Sequence, residues 1–132
     1  MSAPITVVAA VIEQNGCILI CQRRRGDRFE LQWEFPGGKV QAGETPQQAL
    51  VRELREELNV GAQIGQEIYR TRHRYPELDR ELELLFFAAK LGPEPPLNLA
   101  FEQILWAERA RLPDYDFLPA DRELVVRLSS SG

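Results

Sequence analysis

Four glutamates and an arginine, Glu44, Arg52, Glu53, Glu56 and Glu57, stand at spacings able to hold a hard divalent cation against a phosphate chain. The run from Gly38 to Val60 reads GKVQAGETPQQALVRELREELNV, a glycine turn followed by a segment of helical period. Helical residues advance about 100° each, so with Glu53 as origin Glu57 falls at about +40° and Glu56 at about −60°. Leu50, Val51, Leu54 and Leu58 sweep the adjacent arc and are expected to face the core. Glu53, Glu56 and Glu57 then form one stripe at the border of the buried face, with Glu44 in the turn before it. Like charges three and four residues apart on a helix repel. A bound Mg2+ or Mn2+ removes that conflict, because hard cations take carboxylate oxygens and water. A merely solvated helix face, with Arg52 and Arg55 as partners, is the plainer alternative. The fixed offsets of Gly38, Glu44 and Arg52 weigh against it.

The ends of this helix are written in the sequence. Thr45-Pro46-Gln47-Gln48 has the form of a capping box, with Thr45 as N-cap, Pro46 at the first helical position and Gln48 reaching back. Asn59 and Gly61 mark its end. The stretch resembles the Nudix box, G-x5-E-x7-R-E-U-x-E-E-x-G-U with U bulky and aliphatic. Gly38, Glu44, Arg52, Glu53, Leu54, Glu56, Glu57 and Val60 match it. Asn59 stands where the family has glycine; asparagine is the next-best residue for the left-handed conformation that closes the helix. On these residues the chain is identified as a member of the Nudix hydrolase family. The run Trp33-Glu34-Phe35-Pro36-Gly37-Gly38-Lys39 and the segment Phe117-Leu118-Pro119-Ala120-Asp121 are similar to the MutT-like branch.

That resemblance implies hydrolysis of a nucleoside triphosphate to the monophosphate and pyrophosphate, which requires neutralised phosphates, an aligned water and a base. It implies Glu53, Glu56 and Glu57 on metal, with a backbone contact from Gly37 or Gly38. Either Glu53 or Glu56 orders or deprotonates the water. Arg52 orients a glutamate of the box, and Glu44 does similar supporting work. Arg23 and Lys39 are expected at the phosphates. A further metal-binding acid often precedes a C-terminal strand in the family. Here Ala100 takes its place, and Glu102, two residues on, is the nearby substitute. Asp121 matches a base-reading position. An ionised carboxylate only accepts hydrogen bonds. It suits a cytosine or adenine amine, and equally guanine N1–H and N2–H, so 8-oxo-dGTP stays within reach. Phe35, Trp33 and Phe117 are expected to wall a base pocket, and Arg80 to close it.

The 132 residues, 44% apolar with a net charge of −4, suit one domain with its own core. No apolar run is long enough to span a membrane, and no leader is legible, which points to the cytoplasm. The acidic balance argues against stable nucleic-acid binding. Cys17 and Cys21 lack further Cys or His partners for a zinc site and read as small core residues. His73 reads as an incidental exposed residue, so a His-based nucleophilic mechanism finds little support. Strands are expected over Ile5–Ile12, Cys17–Cys21 beyond the Asn15-Gly16 turn, 64–71, 81–87 and 99–106. A closing helix is expected over 120–128 and a disordered tail over 129–132. The pattern is α+β with a mixed sheet, and the resemblance implies an α/β/α sandwich. The leading expectation is a Mg2+-dependent (or Mn2+-dependent) triphosphate pyrophosphohydrolase that sanitises the nucleotide pool of 8-oxo-dGTP, acting as a monomer or homodimer. The alternatives are a CTP/dCTP pyrophosphohydrolase, a hydrolase of another nucleoside diphosphate derivative such as ADP-ribose, and a non-catalytic nucleotide sensor.

Overall fold

The β-branched and apolar run after Pro4 forms the centre of the sheet, because both of its faces are covered. In the computed structural model, which describes residues 3–131, this strand is β1 (Ile5–Gln14). It is followed by β2 (Cys17–Gln22), β3 (Trp33–Glu34), β4 (Gly37–Lys39), α1 (Pro46–Leu58), β5 (Ala62–His73), β6 (Leu82–Leu91), β7 (Gln103–Glu108) and α2 (Arg122–Ser130). Short 3-10 turns at Arg109–Asp114 and Pro119–Asp121 lead into α2. The main sheet path is β3-β2-β1-β6-β5, with β4 paired to β1 and β7 to β2. The β1–β6 pair is parallel and the others antiparallel, so the sheet is mixed.

Period-2 alternation distributes β1 between two cores. Val8, Ala10 and Ile12 pack with Leu50, Leu54 and Leu58 of α1. Ala9 and Val11 pack with Leu124, Val125 and Leu128 of α2. The helices therefore cover opposite faces, giving the expected α+β sandwich. Each fully buried leucine of α1 contributes about 1.5–3 kcal/mol of apolar burial, so the helix is held firmly under the glutamates it carries. Cys21 is buried and Cys17 half-buried, both free thiols.

Several expectations are corrected. Val51 is 42% exposed, while Ala49 takes the buried place beside Leu50. The strand expected over 99–106 begins only at Gln103. Asn98 prevents an earlier start, because its side chain accepts from the Ala100 and Phe101 N–H groups and donates to the Phe101 carbonyl. Ser129 and Ser130 are helical, with both hydroxyls donating to the Val126 carbonyl, and Gly132 of the expected tail lies outside the described residues. His73 is half-buried, its ring 4.3 Å from that of Tyr75.

Candidate active site

The capping box forms as the sequence requires. The Gln48 N–H donates to Thr45 Oγ1 at 3.1 Å, and the Thr45 N–H to Gln48 Oε1 at 2.9 Å. Asn59 closes α1 at φ 54°, in the left-handed region. Two glycines of β4 then allow this helix to approach β1. A Cβ on Gly37 would meet the Val8 carbonyl and come within 2.7 Å of Ala9 Cα. A Cβ on Gly38 would come within 2.6 Å of Glu53 Oε2. Gly37 also donates its N–H to Glu57 Oε1 at 3.2 Å.

Arg52 organises the acidic stripe. Its Nε and Nη2 donate to the two oxygens of Glu44 at 2.7 and 3.0 Å, a bidentate pair. Its Nη1 donates to Glu53 at 2.9 Å and to Glu56 at 3.1 Å, and Nη2 also reaches the Lys39 carbonyl at 3.1 Å. This guanidinium holds the Glu44 carboxyl below the usual carboxylate range. Glu53 is pushed up by burial against the opposing pull of Arg52. Glu57 is pushed up to about 9, by burial first and then by the charges of Glu53, Glu34 and Glu56. Glu56 is the outlying member, its side chain 52% exposed.

Of these groups Glu57 reaches a cavity of about 480 Å³. Gly37, Gly38, Lys39 and Glu57 line it together with Arg23, Glu34, Phe35 and Asp121. Phe35 is buried and packs against Phe86 and Phe117, with ring centroids 6.1 and 5.3 Å away. Asp121 is only 3% exposed, and burial together with the Glu34 charge pushes its carboxyl well up, while the Phe35 backbone N–H pulls it down. A larger groove of about 790 Å³ between α2 and the β5–β6 pair contains none of these residues.

Other expected residues fall outside this constellation or are engaged within it. Glu102 is exposed, does not line the cavity, and meets Arg25 at 3.8 Å; its charge is not among those acting on Glu53 or Glu57. Arg80 also lies off the cavity, with its guanidinium donating to the Ala3 carbonyl. Trp33 and Phe117 are core rather than lining. Arg23 lines the cavity but pairs with Glu34 at 3.2 Å and donates from Nε to the Arg28 carbonyl at 2.7 Å. Glu34 is the residue that sequence reasoning passed over. Its pKa is pushed up to about 7 by burial, with Arg23 opposing, and its charge acts on both Glu57 and Asp121. The available signal was a lone acid between Trp33 and Phe35. Phe29, Tyr75 and Leu78 also line the cavity, from loops that carry no periodic signal.

Among the described residues, no three His, Cys, Asp or Glu side chains form a ready-made cation cage. The donor chemistry nonetheless fits a hard divalent ion. Burial first, and then the neighbouring carboxylates, push the Glu57 carboxyl up, while Arg52 pairs with Glu53. A cation would discharge that crowding.

Comparison with known proteins gives a consistent picture. Residues 3–128 match the family model described as the NUDIX domain. The chain is 38% identical over 131 residues to the 8-oxo-dGTP diphosphatase of Haemophilus influenzae, covering 97% of this chain and 94% of that protein. It is 56% identical to the CTP pyrophosphohydrolase of Escherichia coli K12, over 63 residues that cover 47% of this chain and 46% of that protein. Its fold matches the solution structure of the E. coli ORF135 protein with a TM-score of 0.78 and 34% identity, covering 92% of this chain and 86% of that one.

Proposed function

The chain belongs to the Nudix family, hydrolases of phosphorus anhydrides, and from that premise we propose a nucleoside triphosphate pyrophosphohydrolase that sanitises the nucleotide pool. The observation that supports this reading is one cavity lined both by Glu57 of the acidic stripe, beside Gly37 and Gly38, and by the buried Asp121. Triphosphate and base can thus be held together. The near full-length similarity to an 8-oxo-dGTP diphosphatase favours oxidised dGTP as the substrate. Work on free nucleotides suits the cytoplasm; among the described residues no helix is long and apolar enough to cross a membrane.

Glu53, Glu56 and Glu57 would hold a divalent ion, for which Mg2+ is the proposal and Mn2+ the substitute. When bound, that ion supplies charge neutralisation on the phosphates. The remaining work falls to the chain itself. Glu53 takes the proton of the attacking water. It is half-buried, it abuts Gly38, and Arg52 holds one of its oxygens. Glu56 is the weaker choice as base, because its carboxylate lies at the exposed rim. Arg52 and Glu44 position Glu53 through the hydrogen bonds described above. Lys39 and Arg28 add positive charge along the cavity for the triphosphate. Arg23 reaches a phosphate by leaving Glu34. Asp121 reads the base, with Phe35 behind it.

A second reading, a CTP or dCTP pyrophosphohydrolase, draws on the 56% identity to the E. coli CTP enzyme over 63 residues and on the carboxyl oxygens that Asp121 offers as acceptors. Pyrophosphate release with Mg2+ from 8-oxo-dGTP, dGTP, CTP, dCTP and ADP-ribose separates the two. The expected result is a kcat/KM for 8-oxo-dGTP about a hundredfold above dGTP, the scale of one hydrogen bond to a charged group gained or lost. A preference for cytidine nucleotides selects the second reading. Turnover of ADP-ribose alone rejects both.

A further inference from the structure

Three separately connected pieces of the chain meet at one side chain. Tyr75, which follows β5, is 4% exposed. Its hydroxyl accepts the Ala120 N–H at 3.1 Å, a fully buried hydrogen bond. Ala120 lies in the 3-10 turn Pro119–Asp121, immediately before the proposed base-reading residue. The Tyr75 ring lies 4.7 Å from that of Phe29, in the loop between β2 and β3. Phe29 and Leu31 hold φ of 60° and 63°, a left-handed conformation that bulky residues seldom adopt. The two loops are joined again by Arg28 Nη1, which donates to the Glu77 carbonyl at 3.5 Å. Tyr75, Phe29 and Asp121 all line the same cavity.

We infer that Tyr75 is a positioning residue for base selection, its hydroxyl fixing the 119–121 turn that presents Asp121 to the cleft and its ring seating Phe29 beside it. The inference rests on the hydrolase reading above. The chemical reason lies in the backbone bond. Asp121 has no side-chain cap on α2, and its own N–H is bonded to the Leu118 carbonyl within the same turn. The turn is tied at its start by the Leu118 N–H on the Trp33 carbonyl and at the Asp121 carboxyl by the Phe35 N–H, and the Tyr75 hydroxyl is what holds Ala120 between them. A hydroxyl on a rigid, packed ring sets the position of Ala120 to within a fraction of an ångström. Base discrimination is sensitive to displacements of that size. The Tyr75 hydroxyl bonds to Ala120 and not to the glutamates of α1, so its influence belongs to recognition rather than to the hydrolytic step.

The test is Tyr75→Phe, which keeps the ring and removes only the acceptor, measured on the intact chain with Mg2+ and two triphosphates of different base. The expected outcome is a fall of about tenfold in the preference ratio, carried mainly by KM, the scale of one lost buried hydrogen bond. In an Asp121→Ala background the same change is expected to add nothing to the ratio, because both act through one contact. Faster amide hydrogen exchange at Ala120 in Tyr75→Phe accompanies it. An unchanged ratio, or a full second loss in the Asp121→Ala background, overturns the inference. Phe29→Leu leaves the hydroxyl in place and tests the ring. It is expected to lower the ratio in the same direction, and an unchanged ratio removes the role of the tilted Phe29–Tyr75 ring contact. If the wild-type chain turns over no triphosphate, the hydrolase reading fails and takes this inference with it. Wild-type turnover with an unaltered Tyr75→Phe preference removes the inference alone.

Discussion

Glu57 is the residue at which charge, burial and cation binding meet. Its carboxyl is pushed up to about 9 from an ordinary 4.5, by burial and by Glu53, Glu34 and Glu56. For a carboxyl raised in this direction, the folded state is at no disadvantage below the unfolded pKa of about 4.5, where both states are protonated. The disadvantage grows as pH rises toward the folded value. In the presence of a chelator, Glu57→Gln is therefore expected to melt at a higher temperature than the wild type at pH 8, with the gain shrinking toward pH 4.5. The size is a few kcal/mol at most, on the order of 1.4 per pH unit. With Mg2+ in excess, the wild type gains stability at pH 8 and the variant gains less. Paired thermal melts across this range check it; a Glu57→Gln advantage that is flat with pH would contradict the assignment. Glu34 belongs to the same electrostatic set. It escaped sequence reasoning because its importance comes from tertiary burial beside Arg23, which no spacing within the chain encodes.

The elements show which features were legible and which were not. The helix carrying the glutamates could be drawn almost residue by residue, because Thr45, Pro46, Gln48 and Asn59 are local signals whose partners lie within one turn. β1, β2, β5 and β6 were found by period and composition, with their ends misjudged by a few residues. β3 and β4 were missed, being two and three residues long and set by pairing to β2 and β1 rather than by propensity. The loops that deliver Phe29 and Tyr75 were equally invisible, since left-handed backbone at Phe29 and Leu31 has no sequence signal in bulky residues. β4 makes a sharp prediction possible. A methyl on Gly38 meets the carboxylate end of the Glu53 side chain, whereas one on Gly37 meets the β1 backbone. Gly38→Ala is expected to remain folded, within about 1 kcal/mol of wild type, yet to lose about a hundredfold in kcat by displacing the base. Gly37→Ala is expected to lose about 3 kcal/mol or more of stability, since the backbone it strikes cannot yield cheaply. Denaturant melts and turnover on both variants check the contrast; equal stability losses would show that β4 is not packed as described.

At the scale of the whole molecule, the sandwich places one helix of carboxylates and one buried aspartate on opposite covering layers of the same sheet. α1 brings the glutamates from one face, and the turn before α2 brings Asp121 from the other. The cavity between them is where Arg23, Arg28 and Lys39 set local positive charge against a chain of net charge −4. A triphosphate is drawn to that local charge despite the acidic whole. The family was legible in the sequence because the box is local. The nearness of box and base pocket was not, because it depends on pairings distant in sequence, β4 on β1 and Trp33 on Phe117. The measurement that bears most directly on the metal and the glutamates together is pyrophosphate release from a nucleoside triphosphate by wild type and by the Glu53→Gln, Glu57→Gln double variant, each with Mg2+ and with chelator. The expected result is turnover by wild type only with the metal, and a loss of about a thousandfold or more in kcat for a double variant that still melts cooperatively. Metal-independent release by the wild type, or wild-type rates from the double variant, would contradict the assignment of these carboxylates to hydrolysis.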